Sequence, residues 1–340
     1  MGTSFAKCKL HLDRAVNEVF EADPKIQSLG IARHEDAFGF KAIRNSAAIV
    51  PTSGDGKAHR VPRTVKSVPV IVETVTSDIV PQAMVPFPFA ASFVSEQQNH
   101  RPLVCGLQIQ NFDDDSRQRK SGKLGAGKVT IGTLGGFVQL SDGDVGMLSN
   151  NHVMAGVNRG IKDKDRILQR GAVTFAAAEH AATLTDFVPL LSSPGGALPA
   201  AGNVVFNTVD AAIARLEDGV KFQQSYLPGR GVPRPGGLAT AQVGDKVFKV
   251  GQATGLTFGT VTAVSAVVGP IEFAAGECWF SQQIEIAGDS GTLFANHGDS
   301  GALIVLTSGE VVGLLFAGNG TQTYACPIQN VEAALNCSLA

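Results

Sequence analysis

The sequence predicts a mainly β fold with a small α+β unit in front of it. Three observations carry this. From residue 129 onward, short apolar runs recur at 133–140, 145–148, 182–188, 210–216, 246–250, 259–268, 284–286, 302–306 and 311–316, with Gly, Asn, Asp or Pro between them. Many short strands with such punctuation make a sandwich or barrels. Glycine is abundant (39 residues) and aromatics are few (6%); glycine supplies the positive φ of tight turns and weakens helix interiors. The first 75 residues differ, combining one helical period with β-rich runs.

In chain order, Leu12, Ala15, Val16, Val19 and Phe20 repeat at helical spacing, and Asp23-Pro24 ends the pattern. Residues 28–33 and 37–44 read as a hairpin around His34-Glu35-Asp36, followed by a Gly/Pro/basic loop over 51–63 and a β-rich run over 68–75. Residues 81–102 are Pro- and Phe-rich and read as an extended connector. Asp113-Asp114-Asp115, followed by Arg117, Arg119, Lys120, Lys123 and Lys128 with glycines between, reads as a solvated loop or a processed junction. The closing residues, 328–339, read as a helix. The division expected is a small α+β domain over 1–112, a linker over 113–128 and the main domain over 129–340.

Composition excludes several functions. The 28 Lys and Arg against 30 Asp and Glu leave a net charge of −2, without the basic field that nucleic acid or an anionic membrane demands. The longest apolar runs, about six residues, fall far short of a membrane span. The first residues lack the apolar run of a signal peptide. The five cysteines, Cys8, Cys105, Cys278, Cys326 and Cys337, are odd in number and irregular in spacing. They fit reduced thiols of a cytoplasmic protein better than a disulfide framework. The seven histidines are too scattered for a zinc site.

Two motifs fall short. Gly122 to Lys128 nearly spells a phosphate-binding loop, but Val129 stands where Ser or Thr would ligate magnesium. Gly-Asp-Ser occurs at 288–290 and 298–300, yet Thr292 and Ala302 follow two residues after each Ser, so neither is an α/β-hydrolase elbow.

A third set of residues is coherent. His152 follows a short apolar strand and opens an Ala/Gly-rich turn, where a general base can face a cleft. Asp210 lies between apolar residues, where a carboxylate is costly unless paired; Asp186 is the rival acid. Ser300 stands between Gly298-Asp299 and Gly301, just before an apolar strand, as an exposed nucleophile with backbone N–H donors requires. The order His, Asp, Ser, with gaps of 58 and 90 residues, lets His and Asp lie on one barrel and Ser on a second.

With these pieces, residues 133–340 resemble a trypsin/chymotrypsin-like serine peptidase. The matching stretches, in order, are Gly132-Thr133-Leu134-Gly135-Gly136, Leu148-Ser149-Asn150-Asn151-His152-Val153, Val209-Asp210-Ala211-Ala212, Lys249 to Gly255, Gly298-Asp299-Ser300-Gly301 and Val312 to Gly318. The likeness is greatest to bacterial members with a small α+β domain in front. It implies two packed antiparallel β-barrels with a C-terminal helix. It also implies a serine endopeptidase working through an acyl-enzyme, with His152, Asp210 and Ser300 as triad and the N–H groups of Gly298 and Ser300 as oxyanion hole. By offset, Phe294 would floor the primary specificity pocket, and Phe316, Ala317 and Gly318 would wall it and pair with substrate backbone. No metal or organic cofactor is implied. The partner is a protein or peptide substrate, with a regulatory protein as a possible second partner of the N-terminal domain, and no nucleic acid or membrane.

Ser300 is preferred to Ser290 because the paired strands expected after the nucleophile follow it. The chain departs from extracellular members in lacking a Cys beside the motif. It also shows no Ile-Val-Gly-Gly terminus to pair with Asp299, although cleavage after Lys128 would expose Val129-Thr130-Ile131-Gly132. The alternatives are a catalytically quiet binding module and an esterase of the same fold.

Overall fold

The computed structural model describes residues 2–47, 60–81, 84–85, 95–125, 129–172, 174–199 and 202–340. Most of the 51–63 loop, much of the 81–102 connector and the Lys128 junction fall outside them.

Two antiparallel systems build the body. The first is an eight-stranded sheet containing Gln108–Asn111, Gly132–Thr133, Gly136–Gln139, Val145–Ser149, Arg166–Gln169, His180–Phe187 and Ala212–Leu216, edged by Ser338–Leu339. In the second, Lys246–Gly251, Gly255–Phe273, Gly276–Gly288, Gln322–Pro327, Val311–Gly318 and Leu303–Leu306 pair in a closed ring. The expected strands over 246–250, 302–306 and 311–316 are all present within it. One apolar cluster, including Leu134, Met147, Leu184, Phe248, Leu303 and Phe316, runs through both systems.

The N-terminal helix, Phe5–Ala22, begins where Ser4 accepts a hydrogen bond from Lys7 N, an N-cap that satisfies one orphan donor. Its apolar face, with Ala15, Val16, Val19 and Phe20, is buried. The hairpin Ile26–His34 and Ala37–Asn45 forms as expected, and Val68–Val75 joins it in parallel. These strands do not close a sheet of their own. Ser28, Leu29 and Ile31 pair with Val268, Val267 and Val264, so the N-terminal strands continue the sheet of the closed ring. Phe20 packs edge-on against Trp279 at 5.2 Å. The buried Lys41 bridges Glu285 at 2.7 Å and Glu73 at 3.0 Å.

The expected division changes at two places. Gln108–Asn111, placed in the N-terminal domain by sequence, pairs with Arg166–Gln169 and Gly132–Thr133 in the eight-stranded sheet. Phe112–Lys120, expected as a loop or linker, is a helix. Asn111 caps it by accepting from Asp114 N at 2.8 Å. Asp113, Asp114 and Asp115 fill the first turn and Arg117, Arg119 and Lys120 the last, the order that complements a helix dipole. Arg166, Arg159 and Arg117 then tie Asp113, Asp114 and the buried Asp165 into ion pairs. The closing helix is shorter than expected, Ile328–Leu335. Among the described residues no helix is long and apolar enough to cross a membrane.

Asp115 accepts from Gln110 Nε2 (2.6 Å) and Thr130 N (2.8 Å), yet burial pushes its carboxyl up to about 6. The folded chain therefore holds a proton that the unfolded chain has lost between about pH 4 and pH 6. Stability is full below that window and falls as pH rises through it, by at most roughly 3 kcal/mol. Urea unfolding at the two ends of the window is expected to show this decline, and Asp115→Asn to remove it.

Candidate active site

Strand pairing brings the candidate base and acid together. Val145–Ser149 lies antiparallel to Ala212–Leu216 with Ser149 opposite Ala212. His152, in the short turn of helix Asn151–Met154 after the first strand, then meets Asp210, two residues before the second. His152 Nδ1 bonds Asp210 Oδ2, and His152 N donates to Asp210 Oδ1 at 3.2 Å. Asn150 Nδ2 donates to Asp210 O at 2.7 Å, and Asp210 N donates to Cys326 Sγ at 3.3 Å. A carboxylate on Nδ1 makes Nε2 the nitrogen free to take a proton. Nε2 is buried and bonds no group among the described residues.

Ser300 comes from the other system, at the mouth of Leu303–Leu306. Thr133 N donates to Ser300 O at 2.8 Å, and Thr133 Oγ1 to Gly298 O at 2.9 Å, stitching the Ser300 loop to the first sheet. Gly301 has φ +94°, and a Cβ there would lie 2.1 Å from Ser149 Oγ. Glycine is required by both backbone and space, because the loop sits against the strand that leads to His152. Ser300 Oγ donates to Phe316 O at 3.2 Å. His152 is 4% exposed, and Asp210 and Ser300 are wholly buried.

Asp299 is the anchor of the loop. Its Oδ1 accepts from Ala253 N (3.0 Å) and Thr254 N (3.2 Å), and its Oδ2 from Thr254 Oγ1 (2.7 Å) and Asn296 N (3.0 Å). Lys249 Nζ stands 3.4 Å from Oδ2, and both side chains are fully buried. Lys249 also donates to Thr254 Oγ1 and Gly255 O. Burial lowers the Lys249 pKa, opposed chiefly by the Asp299 charge and more distantly by Glu96. Lys249 thus supplies the partner of Asp299 that the sequence left open. Lys249 was the residue to notice in the sequence, being the one charge within the apolar strand Val247-Phe248-Lys249-Val250.

The other candidates divide. Phe316 is buried, its ring 4.6 Å from Phe280, which meets Phe273 at 6.0 Å. Phe273 lies 5.8 Å from the His152 ring, so an aromatic row flanks the histidine. Ala317 and Gly318 continue the strand from Phe316. Phe294 lies apart from these, in the cluster of Val261, Ile284, Ile286, Ala302 and Leu315, with its carbonyl accepting from Thr257 Oγ1 at 2.6 Å. It is 2% exposed and packs as core.

Asp186 is half-exposed and bonds Lys162. Ser290 is exposed at the hairpin's end, where its neighbour Asp289 pairs with Lys246 at 3.0 Å and Thr260 at 2.8 Å. Neither meets His152. Cys326 and Cys278 lie buried near Asp210, and burial together with that charge raises both thiols, Cys278 to about 12. Among the described residues no group of three or more His, Cys, Asp or Glu is placed to hold a metal ion.

The paired His and Asp thus lie on the eight-stranded sheet and the Gly-Asp-Ser-Gly loop on the closed ring, one ring and one sheet where two barrels were expected. A family model described as Nal1 C-terminal domain matches residues 237–329. Protein NARROW LEAF 1 of Oryza sativa subsp. japonica is 28% identical over 228 residues, which is 59% of this chain and 36% of that protein. The chain therefore covers little more than a third of the length of that relative. Similar solved structures include Nocardiopsis protease (TM-score 0.45, 17% identity, 70% of this chain and 98% of that one) and Cellulomonas bogoriensis chymotrypsin (0.41, 19%, 61% and 90%).

Lys249→Met would leave the Asp299 carboxylate buried without its counter-charge. It is expected to destabilise the chain by about 3–5 kcal/mol in urea unfolding. Asp299→Asn in the same chain is expected to recover part of that loss, because the two sites are coupled.

Proposed function

We propose that the chain is a serine endopeptidase that cleaves peptide bonds through an acyl-enzyme. The observation that carries this is the buried His152–Asp210 pair, with Nδ1 held by the carboxylate and Nε2 left as base, beside a Ser300 loop stitched to Thr133 of the same sheet.

In this reading Ser300 Oγ leaves Phe316 O, turns to His152 Nε2 and attacks the substrate carbonyl as His152 takes its proton. Asp210 holds the imidazole in that tautomer and stabilises the imidazolium. The N–H groups of Gly298 and Ser300 receive the oxyanion, each worth about 3 kcal/mol of transition-state stabilisation. His152 then gives its proton to the leaving amine, and water repeats the sequence on the ester. Ala317 and Gly318 offer backbone groups to an extended substrate strand. The five free thiols fit work in a reducing compartment, such as the cytoplasm.

A fluorophosphonate probe is expected to label the chain and to lose labelling in Ser300→Ala and His152→Ala. Ser290→Ala is expected to label as the parent does. Labelling that survives Ser300→Ala and disappears in Ser290→Ala would overturn the assignment. Turnover of a peptide library, with none of an ester library, separates the endopeptidase from an esterase.

A further inference from the structure

The strand expected to receive substrate is already paired with the chain itself. Val80–Pro81 lies antiparallel to Val311–Gly318, with Val80 opposite Gly318 and Pro81 opposite Ala317. An extended peptide recognised by strand addition makes this kind of pairing. Proline has no N–H, so Val80 is the residue of the two that brings both a donor and an acceptor to the strand. Ile79, immediately before, is 2% exposed and belongs to the main apolar cluster, so the segment is anchored at its start.

Two further observations agree. Ser300 is wholly buried and His152 nearly so, although a nucleophile must be reached by its substrate. The segment also follows directly on strands fixed to the closed ring by sheet pairing and by the Lys41–Glu285 ion pair. It is therefore tethered, and a tethered strand competes at an effective concentration in the millimolar range.

We propose that Val80–Pro81 is an intramolecular occupant of the substrate strand, and that an extended peptide must displace it from Ala317–Gly318 to reach Ser300. The proposal rests on the endopeptidase reading for its kinetic consequence, while the occupancy stands on the pairing itself.

Two reagents and one exchange measurement on the full chain test it. Val80→Pro removes the donor without touching the residues assigned to catalysis or substrate binding. A peptide phosphonate of four residues is expected to label Ser300 at least tenfold faster in Val80→Pro than in the parent. A small fluorophosphonate, which makes no use of residues 317 and 318, is expected to label both at similar rates. Equal rates with the peptide phosphonate, in a Val80→Pro chain that melts as the parent does, would overturn the proposal. If neither reagent labels Ser300 in either chain, the endopeptidase reading fails instead. Hydrogen exchange then decides the occupancy without any need for activity or for the variant to fold. Backbone amides in peptides covering 79–81 and 316–318 are expected to be protected in the unlabelled parent, and rapid exchange at both would overturn the proposal.

Discussion

The buried carboxylate of Asp299 is the constraint on which the site depends. A fully buried charge is tolerated only when paired and hydrogen-bonded, and this one takes four hydrogen bonds and a lysine ammonium. Three of its partners, Lys249, Ala253 and Thr254, come from one strand end and the turn after it. Satisfying Asp299 therefore fixes the Ser300 loop relative to the Lys246–Gly251 strand. The adjacent Ser300 then meets Thr133 of the other β-system. Buttressing continues outward, since Gln252 N donates to Thr133 Oγ1 at 3.1 Å and Gln252 Oε1 accepts from Gln108 at 3.0 Å. The alignment of the two β-systems is thus set by buried polar groups that are satisfied between them.

The candidate site residues could be picked out of the sequence because their types are uncommon in their surroundings. His152 after an apolar strand, Asp210 among small apolar neighbours and Ser300 between glycines each ask for a special explanation, and their order supplied a common one. The same logic reaches Lys249, whose charge in an apolar strand requires a buried partner just as Asp299 requires one.

Other features were hidden for physical reasons. Residues 112–120 carry so little apolar content that hydrophobic periodicity is silent; the helix is written in the cap at Asn111 and in the acidic-to-basic charge order. Phe294 was placed by counting back from Ser300, but the number of residues between two points does not fix which way a side chain turns, and here it turns into the core. Val80–Pro81 is two residues long and pairs with a strand more than 200 positions later. No local pattern announces a partner at that range.

The junction between Ile26–His34 and Gly255–Phe273 changes what the N-terminal residues are. Two domains joined by a linker can be separated with little cost to either. Here residues 264–268 of Gly255–Phe273 find part of their backbone pairing in residues 28–31, and Trp279 finds packing in Phe20. A shortened chain beginning at the eight-stranded sheet would present bare N–H and C=O groups beside uncovered Val267 and Trp279. Such an exposed edge is a template for aggregation. The boundary that composition suggests is thus a poor place to cut: a truncated protein would report on its own self-association as much as on the site.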